Sequence, residues 1–191
     1  MINLFIDTIF PTIVGRIQGP PVDKSLVNYC MAIYKKVPAT DTGWLNNTVY
    51  TTAGAYNILE DKKFNDINKW IEEQVNTFAK ELRYSDYYNL KCGNFILYTK
   101  GSSQEFHYHP GYTFSAVYYL TAPEGSSPLY LQAPSAPDMM NPNISEWTNI
   151  NSMTWNYPAL EGQLIMFRSC IEHYVPPHNS NKYRMALVYE L

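Results

Sequence analysis

From Asn94 to Leu191 the chain breaks into short strand-like runs, and this texture limits the fold more than any other feature. The runs read NFILYTK, EFHYH, TFSAVYYLT, PLYLQ, GQLIMFR, HYVPP and RMALVYEL, with Gly, Pro and Ser between them. Two amphipathic helices are expected upstream. Val22 to Lys36 follows a Pro-Pro break, with Leu26, Tyr29, Cys30 and Ile33 on one face and Asp23 as a plausible N-cap. Phe64, Ile67, Ile71, Val75, Phe78 and Leu82 recur at helical steps, and this second helix should end near Tyr84 to Asp86. Residues 1–17 alternate loosely and read as an edge strand or extended arm. Short strands after two helices predict a mainly β sandwich or barrel with the helices on one side. A chain of 191 residues is read as one domain: an N-terminal arm and helices over 1–93 supporting a β core over 94–191. Two stretches stand outside this pattern. Residues 38–60 are turn-rich and carry Trp44. Residues 133–158 are rich in Pro and Asn, yet hold Met139, Met140, Trp147 and Trp155, which predicts a loop ordered against something.

Composition narrows the partners. The 17 Tyr residues suit half-buried pleated surfaces. A net charge of −3 gives no basic field, so nucleic acid is not an expected partner. No apolar run approaches the roughly 20 residues a membrane span needs. MINLFIDTIFPTIVG lacks a basic n-region and a cleavage site, so no secretory signal is expected. Cys30, Cys92 and Cys170 are widely spaced and read as ordinary thiols of a reducing compartment, which makes a cytoplasmic location the expectation.

The chemistry gathers in GSSQEFHYHPG, where His107 and His109 are separated by one residue. On an extended segment such a pair points to one side, and imidazole is the commonest ligand of divalent transition metals. A third ligand must come from a neighbouring strand, and His173 in EHYVPP is placed to supply it. Glu105 shares the i, i+2 face with His107 but reads as a solvated strand-end residue. His178 lies in the polar run PPHNSN and reads as solvent-facing. Arg184 begins an alternating strand, with Ala186 and Val188 on its side and Met185, Leu187 and Tyr189 on the other. An arginine among apolar neighbours needs an anionic partner, and its planar fork fits a carboxylate.

The order H-x-H, SAVYYL, PLYLQAP, YPALEGQLIMF, His173 and Arg184 resembles the iron(II)- and 2-oxoglutarate-dependent dioxygenases. The match is nearest to the prolyl-hydroxylase-like branch, and within it to a phage and bacterial group carrying H-x-H-P. The resemblance is specific over Asn94 to Leu191; further upstream only LFIDTIFPT and GWLNN look similar. It implies a double-stranded β-helix (jelly roll, cupin-like), with iron(II), 2-oxoglutarate and O2 as cofactors. It also implies that His107 and His173 ligate the iron and that Arg184 grips the far carboxylate of the keto-acid. Tyr98 would help hold that carboxylate, and Tyr118 or Tyr119 would line the pocket. A phage gene would place the protein in its host's cytoplasm. The chain departs from the family where His109 replaces the Asp of H-x-D. Either His109 completes an all-histidine triad or the third ligand is Glu105, water or an anion. The family's halogenating members need a small residue there, so halogenation is disfavoured.

The resemblance implies a hydroxylase-like enzyme acting on a small molecule or peptide. Two other readings stay open. Gly101 to His109 also fits the cupin opening G-x5-H-x-H, but the acid expected soon after is absent, and His173 lies eleven residues past Gly162. A non-enzymatic jelly-roll binding domain would use the aromatic residues but gives no reason for three histidines and an arginine in this order. The apolar N-terminal arm leaves an oligomer possible.

Overall fold

The computed structural model describes residues 5, 7–40, 48–134 and 143–191. Trp44, Met139 and Met140 lie outside them. The described elements run β1 (Val14–Gln18), α1 (Lys24–Lys36), β2 (Tyr50–Thr51), α2 (Asn65–Glu81), β3 (Cys92–Tyr98), β4 (Gln104–His107), β5 (Phe114–Thr121), β6 (Leu129–Gln132), β7 (Thr154–Tyr157), β8 (Gln163–Arg168), β9 (His173–Val175) and β10 (Arg184–Glu190).

The strands form two sheets, one ordered β1-β8-β5-β10-β3-β2 and the other β4-β9-β6-β7. From β3 onward successive strands cross between sheets, except that β6 and β7 form a hairpin within the small one, and the eight strands β3–β10 wind into a jelly roll. All their pairings are antiparallel. β1 adds to the outer edge of β8, the edge strand expected of the N-terminal arm.

Alternation along the large sheet divides its side chains between two cores. Phe95, Leu97, Phe114, Tyr118, Leu164, Met166, Met185, Leu187 and Tyr189 face the helices, where they meet Leu26, Cys30 and Ile33 of α1 and Ile71, Val75 and Phe78 of α2. Ile96, Tyr98, Val117, Tyr119, Ile165, Phe167 and Ala186 face the small sheet. Polar groups in the outer core are paired: the Tyr189 hydroxyl donates to Asn68 Oδ1 at 2.8 Å, and Asn68 Nδ2 donates to the Ile58 carbonyl. Gly15 leaves room for α2 over β1, since a Cβ there would lie 2.8 Å from Phe78 Cδ2.

Asp23 caps α1, its carboxylate accepting from the Ser25 N–H at 2.7 Å. α2 stops at Glu81, before the Tyr84 to Asp86 expected from periodicity. Arg83 turns left-handed (φ 63°), while the Tyr84 and Arg83 N–H groups bond back to the Ala79 and Lys80 carbonyls. This is a Schellman ending with arginine where glycine is usual. Asn76 and Glu72 then hold the following chain along the helix through the Tyr88 and Leu90 N–H groups. β7 arises inside the stretch expected to have little strand pattern. Its ladder comes from β6, and Trp155 and Asn156 are exposed, so no alternation marked it.

Candidate metal centre

The bases of the two sheets enclose a cavity of about 240 Å³. β10 forms its floor with Arg184, Ala186, Val188 and Glu190, all lining the cavity. β4 and β9 form its roof.

β4 and β9 pair antiparallel with His107 opposite His173 and Gln104 opposite Val175. Three steps on β4 therefore match two on β9, the mark of a bulge. The extra residue breaks the simple i, i+2 rule. Gln104 and His107 both line the cavity, whereas Glu105 does not and stands outside the metal-competent group. His109 follows the strand, its N–H bonded to the Ser169 carbonyl at 2.9 Å. The His107 and His173 rings lie 4.2 Å apart between centroids, and His109 lies 5.1 and 5.2 Å from them. One nitrogen from each ring falls within 4.8 Å of the others, close enough to share one ion.

Tautomers follow from the partners. His107 Nδ1 sits 2.7 Å from the Glu105 carbonyl and His173 Nδ1 2.9 Å from the Ile171 carbonyl. A carbonyl only accepts, so each Nδ1 carries the proton and each Nε2 keeps its lone pair. Burial lowers the basicity of all three rings, pushing His109 down to about 4 with help from neighbouring His107, and His173 well below the usual histidine value. Three neutral imidazoles facing each other are what a divalent ion requires of its ligands.

Arg184 lies at the far end of the floor, 2 % exposed. Its guanidinium carbon stands 4.4 Å from the centre of the Tyr98 ring and 4.9 Å from that of Tyr119, and Nη2 donates to the Tyr119 hydroxyl at 3.5 Å. Its Nε has no hydrogen-bond partner, and among the described residues no carboxylate pairs with it. Burial pushes the Tyr98 phenol up to about 12 against the opposing pull of Arg184, so both flanking tyrosines stay neutral donors. The Tyr98 hydroxyl donates to Gln104 Oε1 at 2.6 Å, and Gln104 Nε2 reaches His107 Nε2 at 3.3 Å. A hydrogen-bonded bridge thus joins the cationic end to the histidines. Both donor sets fit their expected guests: neutral nitrogens for an ion and an orphaned buried cation for a carboxylate.

Two expectations fail. Tyr118 does not line the cavity. Alternation turns it to the helix side, where its ring meets Trp70 at 5.7 Å. Tyr119, its neighbour, faces the small sheet and packs against the Arg184 guanidinium, but it is not among the residues lining the cavity either. His178 is fully buried rather than solvent-facing, and its Nε2 donates to the Lys182 carbonyl at 2.8 Å. Its backbone N–H and C=O pair with Ser102 and Gly101, so the ring pins the turn before β10.

Sequence reading passed over Gln104 and Glu190. Glu190 is 3 % exposed, with Oε2 accepting from the hydroxyls of Ser115 at 2.6 Å and Ser169 at 3.3 Å. Its Oε1 lies 3.4 Å from His109 Nε2. Burial pushes this carboxyl up and, with His107, pushes the His109 ring down, so burial opposes an ion pair across the contact. The alternation that put Arg184, Ala186 and Val188 on one side carries on to Glu190, which was the available signal.

No functionally curated protein matches the sequence. Solved structures share the fold at low identity. A Pseudomonas putida prolyl-4-hydroxylase aligns with a TM-score of 0.61 at 14% identity, over 94% of this chain and 92% of its own. The non-heme alpha-ketoglutarate-dependent epimerase SnoN of nogalamycin biosynthesis gives 0.66 at 11%, over 94% and 78%. A Trichoplax adhaerens prolyl hydroxylase, solved with a fragment of hypoxia-inducible factor, gives 0.59 at 13%, over 93% and 83%. The common architecture is the double-stranded β-helix. A family model described as "Putative 2OG-Fe(II) oxygenase" matches residues 94–190, a span containing His107, His109, His173 and Arg184. That match covers just over half of the sequence, and the chain belongs to this family of iron(II)- and 2-oxoglutarate-dependent oxygenases, which take dioxygen as the oxidant.

Proposed function

We propose that His107, His109 and His173 hold the iron, and that Arg184 takes the far carboxylate of 2-oxoglutarate between Tyr98 and Tyr119. The enzyme then acts as a hydroxylase on a small molecule or a peptide. One observation carries this reading: a buried guanidinium with no carboxylate partner faces the cavity that the three imidazoles line. Burying such a charge unpaired is costly, and a small dianion that also reaches the ion would relieve it. The two tyrosine faces steady the cation meanwhile. When bound, iron supplies the activation of dioxygen and the oxidative decarboxylation of the keto-acid, chemistry that belongs to the cofactor. The chain's part is to keep three lone pairs convergent, to orient the diacid from its tail, and to keep water away through the apolar floor of Ala186 and Val188.

The substrate approaches over segments 38–60 and 133–158 in this reading. Thr51 and Ala53 of the first segment line the cavity; residues 41–47 and 135–142 lie outside the described residues. Replacing segment 133–158 should change substrate choice while iron and keto-acid affinity persist. Anaerobic titration with iron(II) tests the ligand set. The wild-type protein should bind one equivalent, and His107→Ala, His109→Ala and His173→Ala should each bind at least tenfold more weakly. Full affinity in all three variants would refute the assignment.

A further inference from the structure

The three histidines differ in what stands behind them. His107 and His173 each give the Nδ1 proton to a backbone carbonyl two residues earlier in the chain. His109 has no such carbonyl on its ring in the described structure; the group beside its Nε2 is the Glu190 carboxyl, 3.4 Å away. This carboxyl is itself held. The Ser115 and Ser169 hydroxyls both reach Oε2 and each other, at 2.9 Å. They leave Oε1 buried with no hydrogen-bond partner, and Oε1 is the atom that faces His109. Glu190 also closes the opposite end of the floor from Arg184, and among the described residues no lysine or arginine pairs with it.

We propose that Glu190 is a positioning residue for the third ligand: its Oε1 accepts the Nε2 proton of His109, which turns Nδ1 toward the ion. The inference rests on the three-histidine reading above. It assigns the two nitrogens of His109 in the opposite sense to those of His107 and His173. It also gives Ser115 and Ser169 a task, since they hold Oε2 so that only Oε1 can serve the ring. Outer partners of this kind fix the ring orientation of a ligating histidine and its basicity.

Zinc(II), which is redox-silent and takes the same ligands, is a suitable probe. Its affinity is measured by chelator competition for wild-type protein, Glu190→Gln, Ser115→Ala, His109→Ala and the His109→Ala/Glu190→Gln double variant. Thermal melts of the metal-free proteins check folding. Glu190→Gln should weaken zinc binding about 10- to 100-fold, Ser115→Ala should weaken it less, and Glu190→Gln should add nothing once His109 is gone. Histidine ring NMR of the zinc-loaded wild type should show Nδ1 of His109 bound to the metal. Unchanged affinity in both Glu190→Gln and Ser115→Ala, or metal on Nε2 of His109, overturns the inference while the ligand set stands. A Glu190→Gln loss that persists at full size without His109 also overturns it, because the carboxyl would then act on the ion directly. No zinc uptake by the wild type would bring down both this inference and the reading it rests on.

Discussion

In the proposed function Arg184 exchanges stability for binding capacity, and substitution can separate the two. Arg184→Met keeps the length of the side chain and removes the unpaired charge. In the absence of keto-acid its urea midpoint should equal or exceed that of the wild type, because a buried ion without a partner opposes folding. Arg184→Lys should not restore keto-acid binding, since a point charge cannot grip a carboxylate with two parallel bonds. The cysteines give a second residue-scale test. Burial pushes the Cys30 thiol up to about 12, whereas Cys170 is exposed. A disulfide reagent at pH 8 should modify Cys170 rapidly and Cys30 only at the rate of unfolding. The sign for stability is unfavourable at high pH: above about 9 the unfolded chain ionises this thiol and the folded chain cannot, so the contribution of Cys30 falls as pH rises toward 12. Most residues that meet at the candidate site were visible in the sequence. H-x-H and an arginine opening an alternating strand are local patterns. Glu190 obeyed the same alternation and was passed over only because it closes the strand. Gln104 and the failure of Glu105 were not visible, because a single-residue bulge shifts the inward face and no residue type announces it. His178 misled for the opposite reason: a polar stretch of sequence folded around its ring.

Among the elements, the helices and most strands followed from periodicity because each buries one face against the large sheet. Their ends did not. α2 ends where Arg83 adopts a left-handed conformation, which costs an ordinary residue roughly 1–2 kcal/mol. Arg83→Gly should relieve part of that strain and stabilise the protein by up to about 1 kcal/mol, read from the shift in urea midpoint at unchanged slope. β2 and β7 escaped notice because they are short and draw their hydrogen bonds from β3 and β6, partners that local sequence does not display. α2 itself is a structural prop. Ile71 is fully buried between it and the sheet, and Ile71→Ala should cost about 2–5 kcal/mol. Iron affinity per folded molecule should not change, which a titration normalised to the folded fraction would check.

For the molecule as a whole, the two sheets bring together residues from strands far apart in sequence. His107 and His173 come from the roof and Arg184 and Glu190 from the two ends of one floor strand. Ligands that span roof and floor should therefore tie the sheets together. Iron at 100 times its Kd should stabilise the fold by about 2.7 kcal/mol, keto-acid should add to this, and a chelator should remove both gains in a thermal melt. The measurement that bears most directly on the central claim is an anaerobic one. Iron(II) is added to the protein, then 2-oxoglutarate, and the visible spectrum is followed for the weak charge-transfer band of a chelated keto-acid. The wild type should develop the band with one equivalent of each, and Arg184→Ala should lack it at the same concentrations while still taking up iron. A wild-type protein that binds iron yet forms no band at saturating 2-oxoglutarate, or an Arg184→Ala variant with the full band at wild-type affinity, would contradict the account.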